Sequence, residues 1–506
     1  INADDDGNVF NIGAVAVGSP LAVRTTGASS TFNVSSDAPA NTGSLAGILA
    51  GLLIEAGGGS NRLVISDAGG TSDKSAVLAA GSLTGLSTGN ITWSTTGGFT
   101  NGATNDGILV VGSDTKATTF NIRSTAAGST TKVVGGAAED TFTIGSLAPA
   151  TGGNVDSIAA VLTINGNGGS DSLNVDDRGD SFANTGNLTA NELSGLGMAG
   201  KIVYGTVESL KIGLGSGDDT FTVASTHAGT TELNTNGGSD TVTLETIAGI
   251  TTVNTGAGTD TVNVRTIAAA TTVNTGGDAD TVNVGSLAPA TGGNVNGIGA
   301  VLTINGDGAS DSLNVDDTGD SAGNTGNLTA TEITGLGIAG KIVYGTLESL
   351  KIGLGSGDDT FTVASTHAGT TELNTNGGSD TVNVRTIAAA TTVNTGGDAD
   401  TVNVGSLAPA TGGNVNGIAA VLAINGNGGS DSLNVDDTGD TAGNTGNLTV
   451  TELSGLGMAG KIVYGTLESL KIGLGGGDDT FTVASTHLGT TELNTNGGSD
   501  TVTLET

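Results

Sequence analysis

The chain has 506 residues, 50 Asp and Glu against 15 Lys and Arg, a formal charge of −35, and no Cys. That balance excludes the basic footprint nucleic acid requires and any attraction to an anionic membrane; the missing Cys excludes disulfides and thiolate metal centres. Gly makes up 89 residues and aromatics 3%, so the composition suits a thin core of Val, Ile, Leu, Ala and Thr between two sheets.

Residues 1–144 read as a diverged copy of the later repeats. Asn61 in LIEAGGGSNRLVISD stands where Asp311 stands in LTINGDGASDSLNVD, and Thr118 stands where Asp359 does. Beyond it, GSLAPATGGNV begins at Gly145, Gly285 and Gly405. This sets repeat units at 145–284, 285–404 and a truncated 405–506. The first of these is 20 residues longer than the second, because it carries Ile247–Thr266 as an addition. Clean gain or loss of such a piece is what a stacked solenoid tolerates. The closing text TVTLET also occurs at Thr241–Thr246, where it runs on; the expectation is that both ends are cut from a longer array.

The basic unit is legible in Thr251–Ala270, TTVNTGAGTDTVNVRTIAAA. Two alternating runs are separated by a Gly/Asp turn and an Ala-rich turn. Period-two alternation is the strand signature: Val262 and Val264 share one face, Thr261, Asn263 and Arg265 the other. In the partner run Val253 points with Thr251 and Thr255, opposite Thr252 and Asn254. Twenty residues cannot bury a face alone, so rungs must stack. In register, like falls on like, and Asn254, Asn274 and Asn394 can form hydrogen-bonded ladders. The expected fold is all-β: a right-handed parallel β-solenoid, β-roll or β-helix-like, of about 20-residue coils with insertions on one edge.

The last turn acids from Asp140 to Asp500 are spaced by 20, 21, 31 or 48 residues. The extra residues lie away from the Gly/Asp turn, in Leu287–Val301 and Thr318–Gly353. The expectation is therefore a file of carboxylates along one rim, with the other rim free to vary. Thr318–Gly353 holds two further strand-like runs, an extra rung or a hairpin.

The turns Leu354–Thr362, LGSGDDTFT, and Thr255–Asn263, TGAGTDTVN, resemble the repeats-in-toxin (RTX) calcium nonapeptide G-G-x-G-x-D-x-U-x. Gly355, Gly357, Asp359 and Phe361 match its second, fourth, sixth and eighth positions, as do Gly256, Gly258, Asp260 and Val262. The pattern departs at its first Gly, replaced by Leu354 or Thr255, and at its fourth position, occupied by Asp278 or Asp398; it also appears on one side of each coil. The resemblance implies calcium held by turn carbonyls and carboxylates, the oxygen set a hard cation takes. The expected ligands are Asp218, Asp219, Asp240, Asp260, Asp278, Asp280, Asp358, Asp359, Asp380, Asp398, Asp400, Asp478, Asp479 and Asp500. Stacked carboxylates about 4.8 Å apart repel one another, and cations would relieve this; Asp also suits turns for its own reasons. More broadly, SDSLNVDDTGD, TGLGIAG and GSGDDTFTVAS resemble giant bacterial β-strand-repeat surface proteins.

Other features weigh less. His227, His367 and His487 recur in one sequence context without a second His. Arg178-Gly179-Asp180 spells an integrin tripeptide, but its counterparts are Thr318-Gly319-Asp320 and Thr438-Gly439-Asp440. Asn187, Asn327 and Asn447 head glycosylation sequons. Thr-x-Asn ranks are similar to those of ice-binding solenoids. No nucleophile elbow, phosphate loop or His pair is present, so no enzyme is expected. The expected function is a structural segment of an extracellular or cell-surface fibre, sheath or adhesin, stiffened by calcium and associating with copies of itself. Alternatives are a module holding a surface glycan in its inserted loops, or an ice-binding solenoid. Neither nucleic acid binding nor membrane insertion is expected.

Overall fold

A computed structural model describes residues 1–4, 6–101 and 105–505. The chain forms two compact units, residues 1–242 with 247–256, and residues 243–246 with 257–506. The described residues contain strands and turns and no helix. The fold is the expected all-β solenoid of stacked parallel strands.

In the second unit, Thr381–Val384 pairs in parallel with Thr401–Val404, placing Thr381 on Thr401, Val382 on Val402 and Asn383 on Asn403. The opposite sheet repeats this with Thr371 on Thr391 and Leu373 on Val393. Val382, Val402, Leu373 and Val393 are all buried. A 20-residue rung thus contributes one short strand to each sheet, and its apolar face is covered only by its neighbours. The first unit is built alike, with Phe120 stacked on Phe142 at 5.4 Å between ring centroids.

Outward Asn side chains form the expected ladders. The Asn254 amide donates to Asn234 Oδ1 at 2.8 Å in the first unit. In the second, Asn283 donates to Asn263 at 3.0 Å, Asn314 to Asn283 at 2.9 Å, and Asn394 to Asn374 at 2.7 Å.

The 48-residue rung resolves into a three-stranded meander laid inside one sheet. Val301–Asn305 pairs in parallel with Lys341–Gly345, which pairs antiparallel with Glu332–Gly335. That strand pairs antiparallel with Thr325–Leu328, which then runs parallel to Thr360–Val363. Across the core a single strand, Ser349–Gly353, fills the step between Ser312–Asp316 and Thr370–Asn374. The insertion is thus an extra rung on one side and a meander on the other.

The next copy places its meander, Thr445–Leu448, Glu452–Gly455 and Lys461–Gly465, in the opposite sheet. From Val301–Asn305 to Val421–Asn425 the chain crosses between sheets nine times, an odd number. Equivalent residues of successive copies therefore fall on opposite sheets. The first unit repeats the pattern: the meander of Lys74–Ala79, Ser82–Thr84 and Ile91–Thr95 lies in one sheet, and that of Thr185–Leu188, Glu192–Gly195 and Ile202–Gly205 in the other.

This corrects the expectation of a single acidic rim. Within one copy the insertions share an edge, as expected, but the edge alternates. In the second unit, Asp260, Asp280 and Asp311 precede strands of one sheet; Asp359, Asp380, Asp400 and Asp431 precede strands of the other; Asp479 and Asp500 return to the first. Carboxylates do stand in file, in separate columns that change rim at each meander.

Candidate functional site: acid columns and turn acids

Each column is a hydrogen-bonded chain. The backbone N–H of one Asp donates to Oδ1 of the equivalent Asp in the next rung. Distances are 2.7 Å for Asp140 to Asp171 and for Asp219 to Asp240 in the first unit. In the second unit, Asp260 donates to Asp280 at 2.7 Å, Asp280 to Asp311 at 2.9 Å, Asp359 to Asp380 and Asp380 to Asp400 at 2.8 Å, Asp400 to Asp431 and Asp479 to Asp500 at 3.0 Å. The Asp359 column begins on the Asn324 N–H at 2.7 Å and ends with Asp431 donating to Glu468 at 2.7 Å, whereas the Asp140 column begins on the Thr118 N–H at 2.6 Å and the Asp479 column ends on Asp500. Each turn starting a strand has an N–H the parallel ladder does not take, and the carboxylate supplies its acceptor.

The expected calcium ligands thus divide by position. Asp219, Asp240, Asp260, Asp280, Asp359, Asp380, Asp400 and Asp479 are at most 3% exposed and serve as rungs of these columns, and Asp500 closes one half-buried. Asp218, Asp278, Asp358, Asp398 and Asp478 are exposed at the turn tips. There Asp358 Oδ1 accepts the Ser379 N–H at 2.8 Å, and Asp398 Oδ2 accepts the Gly378 N–H at 3.3 Å. One Gly turn is clasped by an exposed carboxylate from each neighbouring rung. Among the described residues, no three His, Cys, Asp or Glu side chains converge as a metal centre.

The second oxygen of the buried acids is sealed in. Oδ2 of Asp140, Asp171, Asp311 and Asp431 is buried and meets no donor. It folds over the head of its own turn: a Cβ on Gly306 would lie 2.6 Å from Asp311 Oδ2, and one on Gly426 would lie 2.6 Å from Asp431 Oδ2. The still closer backbone carbonyls of Thr346 and Thr466, together with that carboxylate and not a positive φ, demand glycine there. Thr375 and Thr395 hydroxyls lie beside the Asp380 and Asp400 carboxyls and lower their pKa, yet both donate to backbone carbonyls. Burial dominates and pushes Asp140, Asp219, Asp311, Asp380 and Asp400 up to about 6.

Asn61 occupies the equivalent seat in the diverged copy. Its Oδ1 accepts the Ser30 N–H at 3.0 Å, as a column Asp would. Its Nδ2 donates to the Gly57 and Gly59 carbonyls at 3.0 and 2.9 Å. The place where an Asp puts Oδ2 is therefore a donor's place. A neutral acid, donating its proton to a turn carbonyl, satisfies it; a bare carboxylate does not.

Sequence reasoning missed a second set of buried acids. Asp177, Asp317 and Asp437 are each 1% exposed, and Oδ1 of each accepts the N–H of Val155, Val295 or Val415 at 2.9–3.1 Å. Burial raises all three to about 7, with Asp180, Asp320 or Asp440 adding repulsion. The recurring D-D-x-G-D was the signal that could have found them.

The remaining motifs resolve structurally. His227, His367 and His487 sit edge-to-face on Tyr204, Tyr344 and Tyr464, with centroids 5.8–6.0 Å apart. Those tyrosines are 2–3% exposed and donate their hydroxyls to the Thr189, Thr329 and Thr449 carbonyls at 2.6 Å. They offer no aromatic platform to a sugar. Asp180 of the integrin-like tripeptide is buried and accepts the Phe182 N–H at 2.9 Å. The sequon residues Asn187, Asn327 and Asn447 lie within meander strands.

No family model and no curated protein sequence matches the chain. Among solved structures, the chain is similar to a hyperactive, Ca2+-dependent, β-helical antifreeze protein from an Antarctic bacterium, at 19% identity over 72% of this chain and 79% of that one, with a TM-score of 0.16. Values this low carry no function across.

Proposed function

We propose that the chain is a structural, non-catalytic solenoid segment of an extracellular or cell-surface fibre, sheath or adhesin, in which calcium binds the exposed turn acids. The observation that carries this reading is the residue-on-residue register: Thr, Val and Asn of one rung lie on Thr, Val and Asn of the next. Such stacking extends by repetition and leaves strand edges open only at its ends, where further copies add. Calcium is assigned to Asp218, Asp278, Asp358, Asp398 and Asp478, because each keeps carboxylate surface open to solvent beside a Gly-rich turn. A hard cation would gather these oxygens together with turn carbonyls.

The test is thermal unfolding of the recombinant chain in EGTA and in millimolar calcium, beside negative-stain images. The reading expects elongated particles and a midpoint that rises with calcium. A midpoint indifferent to calcium would remove the ion; rounded particles would remove the fibre role.

A further inference from the structure

Among the places where the three repeat copies differ is the residue that follows Asp177, Asp317 and Asp437. In the first copy, Arg178 lies across Gly213: a Cβ on that glycine would sit 2.6 Å from Arg178 Nε and 3.1 Å from its Cγ. Its Nε is 3.4 Å from Asp176 Oδ1; the Glu232 pKa is lowered chiefly by its hydrogen bond with Lys211, and Arg178 adds the smallest part. Arg178 thus lies beside the Asp176 carboxylate above a glycine floor.

The second unit carries the same floor and carboxylates without the arginine. Thr318 and Thr438 replace Arg178. Above Gly353 and Gly473 the structure opens into grooves of about 540 and 330 Å3, walled by the Ala288–Thr291 and Ala408–Thr411 loops. Asp316 and Glu372 line the first, and Asp436 lines the second. Among the described residues neither Asp316 nor Asp436 has a basic partner. Asp316 takes the Gly293 N–H at 2.8 Å and the Thr318 hydroxyl at 2.6 Å, which leaves acceptor capacity on both oxygens. Lys351 pairs with Glu372 at 3.4 Å, as its counterpart Lys211 pairs with Glu232 at 2.7 Å with Arg178 present, so Asp316 is the carboxylate left without a cation.

We propose that the two open grooves each bind the arginine side chain of a partner polypeptide, its guanidinium held against Asp316 or Asp436 as Arg178 is held against Asp176 in the first copy. A planar guanidinium offers fork-shaped donors to the two oxygens of one carboxylate and lies flat over a glycine, which an ammonium cannot. The chain's charge of −35 draws basic partners toward it. This inference is independent of the calcium assignment and of the fibre reading.

The test titrates the full chain with N-acetyl-arginine amide by NMR or calorimetry, using N-acetyl-citrulline amide as the uncharged isostere. Two sites per chain are expected, with citrulline at least about tenfold weaker. The double variant T318R/T438R supplies the arginine from within, in a setting the first copy shows to be compatible with the fold, and should abolish binding. Arg178→Thr should add a third site. Thermal unfolding of each variant confirms that it is folded. Absence of arginine binding, equal binding of citrulline, or binding undiminished in T318R/T438R each overturns the proposal.

Discussion

Asn61 donates its side-chain amide to the Gly57 carbonyl at 3.0 Å, from the seat that Asp311 fills in the second unit. One position of the fold thus carries an amide in one copy and an acid in another, with the same backbone N–H accepted by Oδ1 in both. Asp311→Asn should therefore keep the 2.9 Å bond from Asp280 and add a donor where the carboxylate has none. At pH 8 the variant should be more stable by about 1–2 kcal/mol, and at pH 4.5 nearly unchanged. Asp311→Leu, which strands the Asp280 N–H, should lose about 1–3 kcal/mol at both pH values. Urea unfolding of the three proteins checks this, and an Asn variant weaker than the parent at pH 8 would contradict it.

The chain should be more stable in mild acid than at neutral pH. Asp317 titrates at 3.8 when unfolded and is raised to about 7 by burial, with Asp320, Asp359 and Asp316 adding to the rise; Asp311 is raised to about 6, with Asp280, Glu348 and Asp307 adding to burial. The folded state holds these protons over a pH range in which the unfolded chain has released them. Their stabilisation is full below about pH 4 and is lost as pH rises through 6 and 7. Urea midpoints in EGTA should fall between pH 4.5 and pH 8. Asp317→Asn should flatten that fall, whereas a midpoint that climbs over the same range would defeat the account.

What the sequence disclosed and what it hid depend on the range of each effect. Strand positions, the inward Val262 and Val264, the Asn254 ladder and the stacking itself are local or repeat-level properties, and alternation with a 20-residue period displays them. The change of rim is not local. Thr480 and Thr360 head identical TFTV strands, yet lie in opposite sheets because of how many crossings separate them. The direction of the Asp side chains was hidden too. A Gly-rich turn with Asp at its sixth position reads as a cation loop, whereas Asp380 is turned inward by the Asp359 N–H. Among the expected ligands, Asp218, Asp278, Asp358, Asp398 and Asp478 are the ones left exposed.

The three later meanders carry a glycine in their entering strand opposite a Phe, where the first carries Ala76 on Phe120. A Cβ on Gly326 would lie 2.5 Å from the buried Phe361 ring, its partner across the parallel pair, and 2.7 Å from Leu336. Neither a ring nor a packed leucine can yield that distance, so Gly326→Ala should destabilise by about 1–3 kcal/mol. Phe361→Leu alone should also cost stability by leaving a void. Combined, the two changes should lose less than the sum of the separate losses, because the shorter side chain makes room for the methyl. Additive losses in a double-mutant cycle would mean that Gly326 is required for another reason.

Rung number should be adjustable in whole rungs and not in halves. Deleting residues 381–400 removes one strand from each sheet, Thr381–Val384 and Thr391–Asn394. It joins Asp380 to Thr401, as Asp400 now precedes it, and leaves the number of crossings between meanders odd. The following meander keeps its sheet, and the Asp380 N–H can meet Asp431 Oδ1 as the Asp400 N–H does at 3.0 Å. This variant should fold, with strand signal by circular dichroism and protease resistance like the parent's. Deleting residues 391–400 alone removes a single crossing. Every later residue is then sent to the other sheet, so inward Val402 and Val404 must follow a rim built for the opposite turn. That variant should lose protease resistance from the cut onward. Equal tolerance of both deletions would show that the alternation of meanders is not fixed by the count of crossings.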